Sequence, residues 1–362
     1  MSYQPNKAIH PGSAVGRTLD KLGMSQKSLS ERTGITEKHI SAIINGDASI
    51  TPETAALFAN ALGGKPSFWN NLQKNYEETK VRLENQELAA KEVELVQSFP
   101  YLELKKRGYV KDTRIAVEKV LELWRFFGVN SLSSVKLVES TAWRRGATEQ
   151  VKAESLAAWL RCGELGLKEL VDNLGLKSYD EAGLKQLLPK LRAYTTPTSS
   201  AFWRNLQEEL ANVGVALIAI KHFSGTRANG ATRWIGGNPV IQLSAYGRDA
   251  DKVWFTLFHE IGHVLKHGKR DKFISFNNGK EKSTEELEAD NFAADTLISK
   301  NAYDTFVING DYSKEAIVKF SNNQGIHPGI VVGRLKNHRL IGYGAHHDLH
   351  GKLIVEEAKA EA

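Results

Sequence analysis

The chain has 362 residues, 41% hydrophobic and 25% charged, which suits two or three globular domains and excludes wholesale disorder. No stretch reaches the roughly 20 apolar residues of a membrane span, and the opening MSYQPNKAIHPG lacks the apolar core of a secretory signal. A single cysteine, Cys162, excludes an intrachain disulfide framework and a cysteine-only zinc site. Together these features lead us to expect a cytoplasmic protein without membrane association. The net charge of +6 permits nucleic-acid binding, and the basic excess lies mostly in the first 145 residues.

The first 66 residues read as four short helices. Val15, Leu19 and Leu22 mark the first, which Gly23 closes. Ser25 caps a second, Gln26 to Thr33, ended by Gly34. Thr36 caps a third, Glu37 to Asn45, ended by Asn45-Gly46-Asp47. Pro52 opens a fourth that runs to Leu62. One long polar helix is predicted over 67–97, and further helical pattern covers 112–127 and 149–190. The period then changes. Val213–Ile220, Ala231–Ile235 and Val240–Leu243 read as strands, the last two joined as a hairpin through Gly236-Gly237-Asn238-Pro239. A helix around 251–267, a charged loop over 268–284 and a helix over 285–299 follow. IHPGSAVGR (9–17) and IHPGIVVGR (326–334) echo one another, which we read as similar chemistry at two helix starts.

Two short helices joined at Gly34 have helix-turn-helix spacing, with the second of the pair set to enter the major groove. Its candidate DNA contacts are Thr36, Glu37, Lys38, His39 and Ser41, while Ile40, Ile43 and Ile44 form the packing face. Gln26, opening the first helix of the pair, is a candidate phosphate contact. The stretch from His10 to Glu77, with its S-Q opening, ING and ITP turns and F-W-x-x-L-Q ending, resembles the HigA-type antitoxin branch of the XRE/Cro repressor family. That resemblance implies double-stranded operator DNA as partner, a homodimer on palindromic sites, autoregulation and a toxin partner.

The strongest chemical signal is Thr256-Leu257-Phe258-His259-Glu260-Ile261-Gly262-His263. Four residues apart on a helix, His259 and His263 face the same way and can share one Zn2+. Glu260 is placed to act as general base on metal-bound water. Burying two imidazoles and a carboxylate on an apolar helix is costly unless a ligand satisfies them. Lys266 and Lys269 stand where a metzincin needs Gly and His, so the third ligand must come from elsewhere. On the helix EELEADNFAADTLIS we expect Glu285, Glu288 and Asp295 to share a side; Glu288 is the choice, and Glu285, one turn away, the alternative. Asp295 is expected to hydrogen-bond a ligand histidine. His267 falls about 80° off the ligand line, favouring a supporting or surface role. Tyr246 and Arg233 are candidates for stabilising an oxyanion. His346, His347 and His350 read as a polar tail, and Trp69, Trp124 and Cys162 as core.

This half resembles the ImmA/IrrE metallopeptidases through GATRW (230–234), PVIQLS (239–244), FTLFHEIGH (255–263) and EADNFAAD (288–295). The resemblance implies that the glutamate of EAD, Glu288, is the third ligand and that a repressor-like protein is cut. Ser299 departs from the proline that commonly follows in that family. The fold expected is multidomain: a helix-turn-helix domain over 1–66, a helical connecting region over 67–195, an α+β zincin-like domain with a small sheet over 196–345, and a tail over 346–362. The whole reads as a DNA-binding transcriptional regulator carrying a zinc endopeptidase that cuts a regulatory protein in cis or in trans. The competing reading is an antitoxin or autorepressor whose peptidase-like domain acts as a sensor or partner-binding module.

Overall fold

A computed structural model describes residues 5–135, 151–196, 202–244, 249–268, 273–276 and 283–353. The chain is multidomain and mainly helical. It divides into one compact unit running through Val93 with Ile115–Leu121, and a second comprising Glu94–Arg114 and the residues from Glu122 onward. Among the described residues, no helix is long and apolar enough to cross a membrane.

The first unit opens with α1 (Gly12–Leu22), α2 (Gln26–Thr33), α3 (Glu37–Asn45), α4 (Pro52–Leu62) and α5 (Pro66–Ala90). Every predicted stop and start is used. The Oγ of Ser25, Thr36 and Thr51 accepts from the backbone N–H three residues on, satisfying amides that the first helical turn leaves unpaired. Gly34 and Gly46 sit at φ +73° and +90°, the left-handed conformation that ends a helix. Val15, Leu19, Leu29, Ile40, Ile43, Ile50, Phe58 and Trp69 form one hydrophobic core. Gly12 lies so close to α3 that a Cβ there would stand 1.9 Å from the Ile43 carbonyl oxygen. Trp69 Nε1–H donates to the Gly63 carbonyl at 3.3 Å, and Gln73 Oε1 accepts from the Ile50 N–H at 3.0 Å, tying α5 to this bundle.

The predicted helix over 67–97 ends early. α5 stops at Ala90, and a 3-10 turn over Val93–Ser98 follows. Pro100 lies just beyond that turn and keeps the α5 helix from resuming through it. Next come α6 (Tyr101–Lys106), α7 (Ala116–Phe127), α8 (Ala153–Leu174), α9 (Glu181–Ala193) and α10 (Phe202–Asn212).

The sheet of the second unit contains β1 (Ala216–Ala219), β2 (Ala228–Ile235), β3 (Asn238–Leu243) and β4 (Phe273–Phe276), in spatial order β1-β3-β2-β4. β1 pairs with β3 in parallel, and β2 is antiparallel to both β3 and β4. Gly236 and Gly237, at φ +61° and +89°, make the two-residue turn whose twist suits a hairpin. Strand alternation gives the sheet two distinct faces. Thr232 on β2 turns to α11 (Ala250–Lys266), and Ile241 and Leu243 join the core that α11 caps. Arg233 and Gln242 turn the other way, to α8: Gln242 Nε2–H donates to the Trp159 carbonyl at 2.6 Å, and Arg233 bonds the Leu160 carbonyl at 2.8 Å and Glu164 at 3.0 Å. β4 lies inside the segment expected to be a charged loop. Its four residues, FISF, are too short for a period of two to show.

Three helices follow α12 (Thr284–Leu297): α13 (Lys300–Asn309), α14 (Lys314–Gln324) and α15 (Pro328–Asn337). α12 packs closely on α11 because Gly262 presents no side chain; a Cβ there would stand 3.2 Å from Ala289 Cα. The IHPG echo is shared capping chemistry. His10 Nδ1 accepts from the Gly12 N–H and His327 Nδ1 from the Gly329 N–H, both at 3.1 Å. The segment expected to be a tail folds back through Leu353, which is buried, and the Gly351 carbonyl accepts from the Ala250 N–H at 2.7 Å. His350 Nε2 lies 2.8 Å from Lys336 Nζ.

Candidate metal centre and nucleic-acid interface

On α3, Ile40 and Ile43 are wholly buried, so helical periodicity turns Glu37, Lys38 and His39 to solvent. Ser41 is half-buried and sits 3.4 Å from Asn45 Nδ2. Thr36 is exposed, but its hydroxyl caps α3 by accepting from the His39 N–H at 3.3 Å. Gln26 is half-buried at the first position of α2. The six candidate DNA contacts therefore occupy the start of α2 and the start and outward side of α3.

In the second unit α11 is buried along most of its length, and His259, Glu260 and His263 are 4%, 0% and 1% exposed. The two histidines turn their Nε2 atoms toward each other at 3.0 Å. The carboxylate that meets them is Glu286 of α12, with Oε2 3.3 Å from His259 Nε2 and Oε1 3.4 Å from His263 Nε2. These three side chains are the described group whose donor atoms are close enough to hold one metal ion. A zinc with bonds of about 2.0–2.1 Å in tetrahedral geometry spaces its ligands about 3.3 Å apart, so the donor set fits.

Glu288, expected as the third ligand, does not face the pair. Its carboxylate lies 3.3 Å from His267 Nε2. Two residues from Glu286 on a helix is about 200° of rotation. Glu285 is exposed on the same helix. The missed signal lies in the small residues of the segment. Ala289, Ala293 and Leu297 are its buried line, and Glu286 and Asp290 lie along that line at helical spacing. The expected role of Asp295 is filled by Asp290, whose Oδ1 is 2.9 Å from His259 Nδ1, while Asp295 is exposed.

Glu260 rotates away from the histidines toward the sheet. Its oxygens accept from the hydroxyls of Thr232 at 2.7 Å and Ser275 at 2.6 Å. Gly230 makes room: a Cβ there would stand 2.4 Å from Glu260 Oε1. Neither hydroxyl was foreseen, since Thr232 and Ser275 sit on strands far in sequence from the motif. Arg233, expected near an oxyanion, lies on the opposite face of the sheet in its bond to Glu164, because adjacent strand residues point to opposite faces. Tyr246 lies outside the described residues. Trp69 and Cys162 are buried core, as read.

The electrostatics of the cradle are those of a cation site. Burial alone would depress the His259 pKa, but the carboxylates of Asp290 and Glu286 hold its proton and raise the value to about 10. Burial opposes ionisation of Glu286, yet the two histidines bring its pKa down to about 2. Glu286 faces both histidines and Asp290 the outer side of His259, so the cradle attracts positive charge: a proton on the imidazole, or a metal ion in its place.

Comparison with known proteins matches two segments of the chain. Residues 17–69 match the family described as helix-turn-helix, and residues 213–335 match the IrrE N-terminal-like domain of the M78 peptidases. The chain is 32% identical over 63 residues to the uncharacterized HTH-type transcriptional regulator YddM of Escherichia coli K12, spanning 17% of this chain and 67% of that protein. It is 38% identical over 55 residues to the antitoxin HigA-1 of Vibrio cholerae, spanning 15% of this chain and 51% of that protein. Among solved structures, it is similar to an addiction-module antidote protein of the HigA family from Coxiella burnetii, with 34% identity, 24% of this chain and 95% of that one covered, and a TM-score of 0.23. The chain thus belongs at its N-terminus to the helix-turn-helix transcriptional regulators with HigA-like relatives, and joins to that domain an IrrE N-terminal-like domain.

Proposed function

We propose that this protein is a DNA-binding transcriptional regulator whose second domain is a zinc-dependent endopeptidase that cuts a regulatory protein, such as a repressor, in cis or in trans. The observation that carries this reading is the convergence of His259 Nε2, His263 Nε2 and the Glu286 carboxylate beside a wholly buried Glu260. His259, His263 and Glu286 would hold the metal. When bound, it would supply a Lewis acid for the scissile carbonyl and an acidified water. Glu260 is the proton acceptor of the site and is not a ligand. The hydroxyls of Thr232 and Ser275 donate to it, which fixes its direction. Asp290 orients His259 from its far nitrogen. In the other unit, Lys38 and its neighbours on α3 would read operator DNA, as a homodimer on a palindromic site.

The test combines two assays. Zinc-loaded protein incubated with its own chain and with repressor proteins encoded beside it should give discrete fragments, and Glu260→Gln should abolish them while still binding one zinc. Both forms should shift DNA from the protein's own promoter. Zinc binding without cleavage of any partner would overturn the peptidase reading.

A second reading has its own support. Both oxygens of Glu260 are engaged by hydroxyls and the side chain is 0% exposed, and the HigA-like similarity brings a toxin protein into view as partner. Under this reading the chain is an antitoxin or autorepressor, and the metal domain senses a ligand or binds a partner. Metal-dependent change in operator affinity without proteolysis is its signature.

A further inference from the structure

The two histidines of the metal centre are held differently on their outer sides. His259 presents Nδ1 directly to the Asp290 carboxylate at 2.9 Å. His263 presents Nδ1 to a third imidazole, with His267 Nδ1 at 3.0 Å. The far nitrogen of that imidazole, His267 Nε2, lies 3.3 Å from the Glu288 carboxylate. Only one proton arrangement satisfies this chain with neutral rings. Glu288 is acceptor-only, so His267 carries its proton on Nε2 and donates to it. His267 Nδ1 is then an acceptor, and the His263 Nδ1–H donates to it. His263 Nε2 then keeps its lone pair, facing His259 Nε2 at 3.0 Å and Glu286 Oε1 at 3.4 Å.

We propose that His267 and Glu288 form a positioning relay that fixes the tautomer and ring angle of His263 for metal binding, the counterpart of what Asp290 does for His259. The inference rests on the metal-centre reading above and gives Glu288 a role other than ligand. Two further contacts support it. His267 follows His263 by one helical turn and its side chain is only 7% exposed, so it is packed against its neighbours. The Phe273 ring stacks on His263 at 4.0 Å between centroids and 14° between planes, and also borders His267 at 5.0 Å. Phe273 sets the plane of His263, and the relay sets its rotation within that plane.

The relay and a direct-ligand role for Glu288 make opposite predictions. Zinc affinity is measured by competition with a chromophoric chelator on the full-length chain, for wild type, His267→Phe, Glu288→Ala, Glu288→Gln and the double variant His267→Phe/Glu288→Ala, with Glu286→Ala as reference. Removing an outer partner of a metal-binding histidine commonly weakens affinity about 10- to 100-fold. We expect His267→Phe and Glu288→Ala each to fall in that range, and the double variant to be no weaker than His267→Phe alone. Glu288→Gln, whose amide oxygen still accepts from His267, should stay within about threefold of wild type. Long-range 1H–15N spectra of zinc-loaded wild type should place the His263 proton on Nδ1, and His267→Phe should broaden or shift that signal. A further loss on adding Glu288→Ala to His267→Phe would overturn the relay and return Glu288 to the metal. Wild-type affinity in His267→Phe would also overturn it. If the wild type binds no zinc, or Glu286→Ala binds as tightly as wild type, the metal-centre reading itself fails.

Discussion

The two domains of this protein solve opposite problems with the same element, a helix packed on a hydrophobic core. In α3 the buried face is Ile40 and Ile43, packed among Leu29, Phe58 and Trp69, and the side chains proposed to contact DNA stand outside. In α11 the functional side chains are the buried face: His259, Glu260 and His263 lie among Phe258, Ile261 and Val264. The first domain can change what it reads without touching its core. In the second, every buried group of the centre must be matched by another polar group. Each of the three motif residues is matched: His259 by Asp290, His263 by His267, and Glu260 by Thr232 and Ser275. Function and folding should therefore separate in the first domain and be coupled in the second.

Substitutions in each domain test this difference. The largest effect is expected from His263→Ala. It should reduce bound zinc from one per chain to near zero, as read by metal analysis, and should lower the second unit's thermal transition as a chelator does. Saturating metal at about a hundred times its Kd adds about 2.7 kcal/mol of stability, and this variant cannot receive it. Operator binding by gel shift should survive, and its loss would show that the two ends are coupled.

Ile40→Ala is the corresponding insult to the first unit. Truncating a buried isoleucine costs about 2–5 kcal/mol. We expect the gel shift to disappear and the zinc content to remain at one per chain, checked on the same preparation. Gly230→Ala is smaller and more specific. The added methyl stands 2.4 Å from Glu260 Oε1 and 2.8 Å from Thr256 Cγ2. Overpacking of this kind costs about 1–3 kcal/mol; zinc should stay bound while any cleavage activity falls at least tenfold in a fragment assay.

The smallest stability effects belong to the outward face of α3. Thr36→Ala removes the cap on the His39 N–H and should cost about 1 kcal/mol in a denaturant titration. Lys38→Ala should leave that titration within about 0.5 kcal/mol of wild type and still weaken operator binding. If Lys38→Ala binds the operator as tightly as wild type while Thr36→Ala does not, the cap and not the outward face governs affinity.

Much of this was open to a reader of the sequence. The four N-terminal helices were bounded by caps and glycines that act within three or four residues, so their ends could be placed from local rules. HEIGH announced itself because two histidines at helical spacing in an apolar run leave little else to do. The hairpin at Gly236-Gly237 was legible for the same reason, since a two-residue turn demands those residues. The third carboxylate was not. Glu285, Glu286 and Glu288 stand within one helical turn, and choosing among them needs the rotation of α12 against α11. That rotation is set by Gly262 seating on Ala289 and Phe292, a contact between segments more than twenty residues apart.

Local chemistry thus fixes a capped helix-turn-helix near the start of this chain and a histidine–glutamate helix farther along, because caps, turns and helical periodicity are short-range. Long-range packing selects which acidic residue faces the histidines, which hydroxyls hold Glu260, and the placing of Arg233 behind the sheet. Each of these depends on which face of a strand or helix is pressed against a distant partner. A shift of one strand residue, or two helix residues, reverses that outcome without altering the local pattern that forms the element.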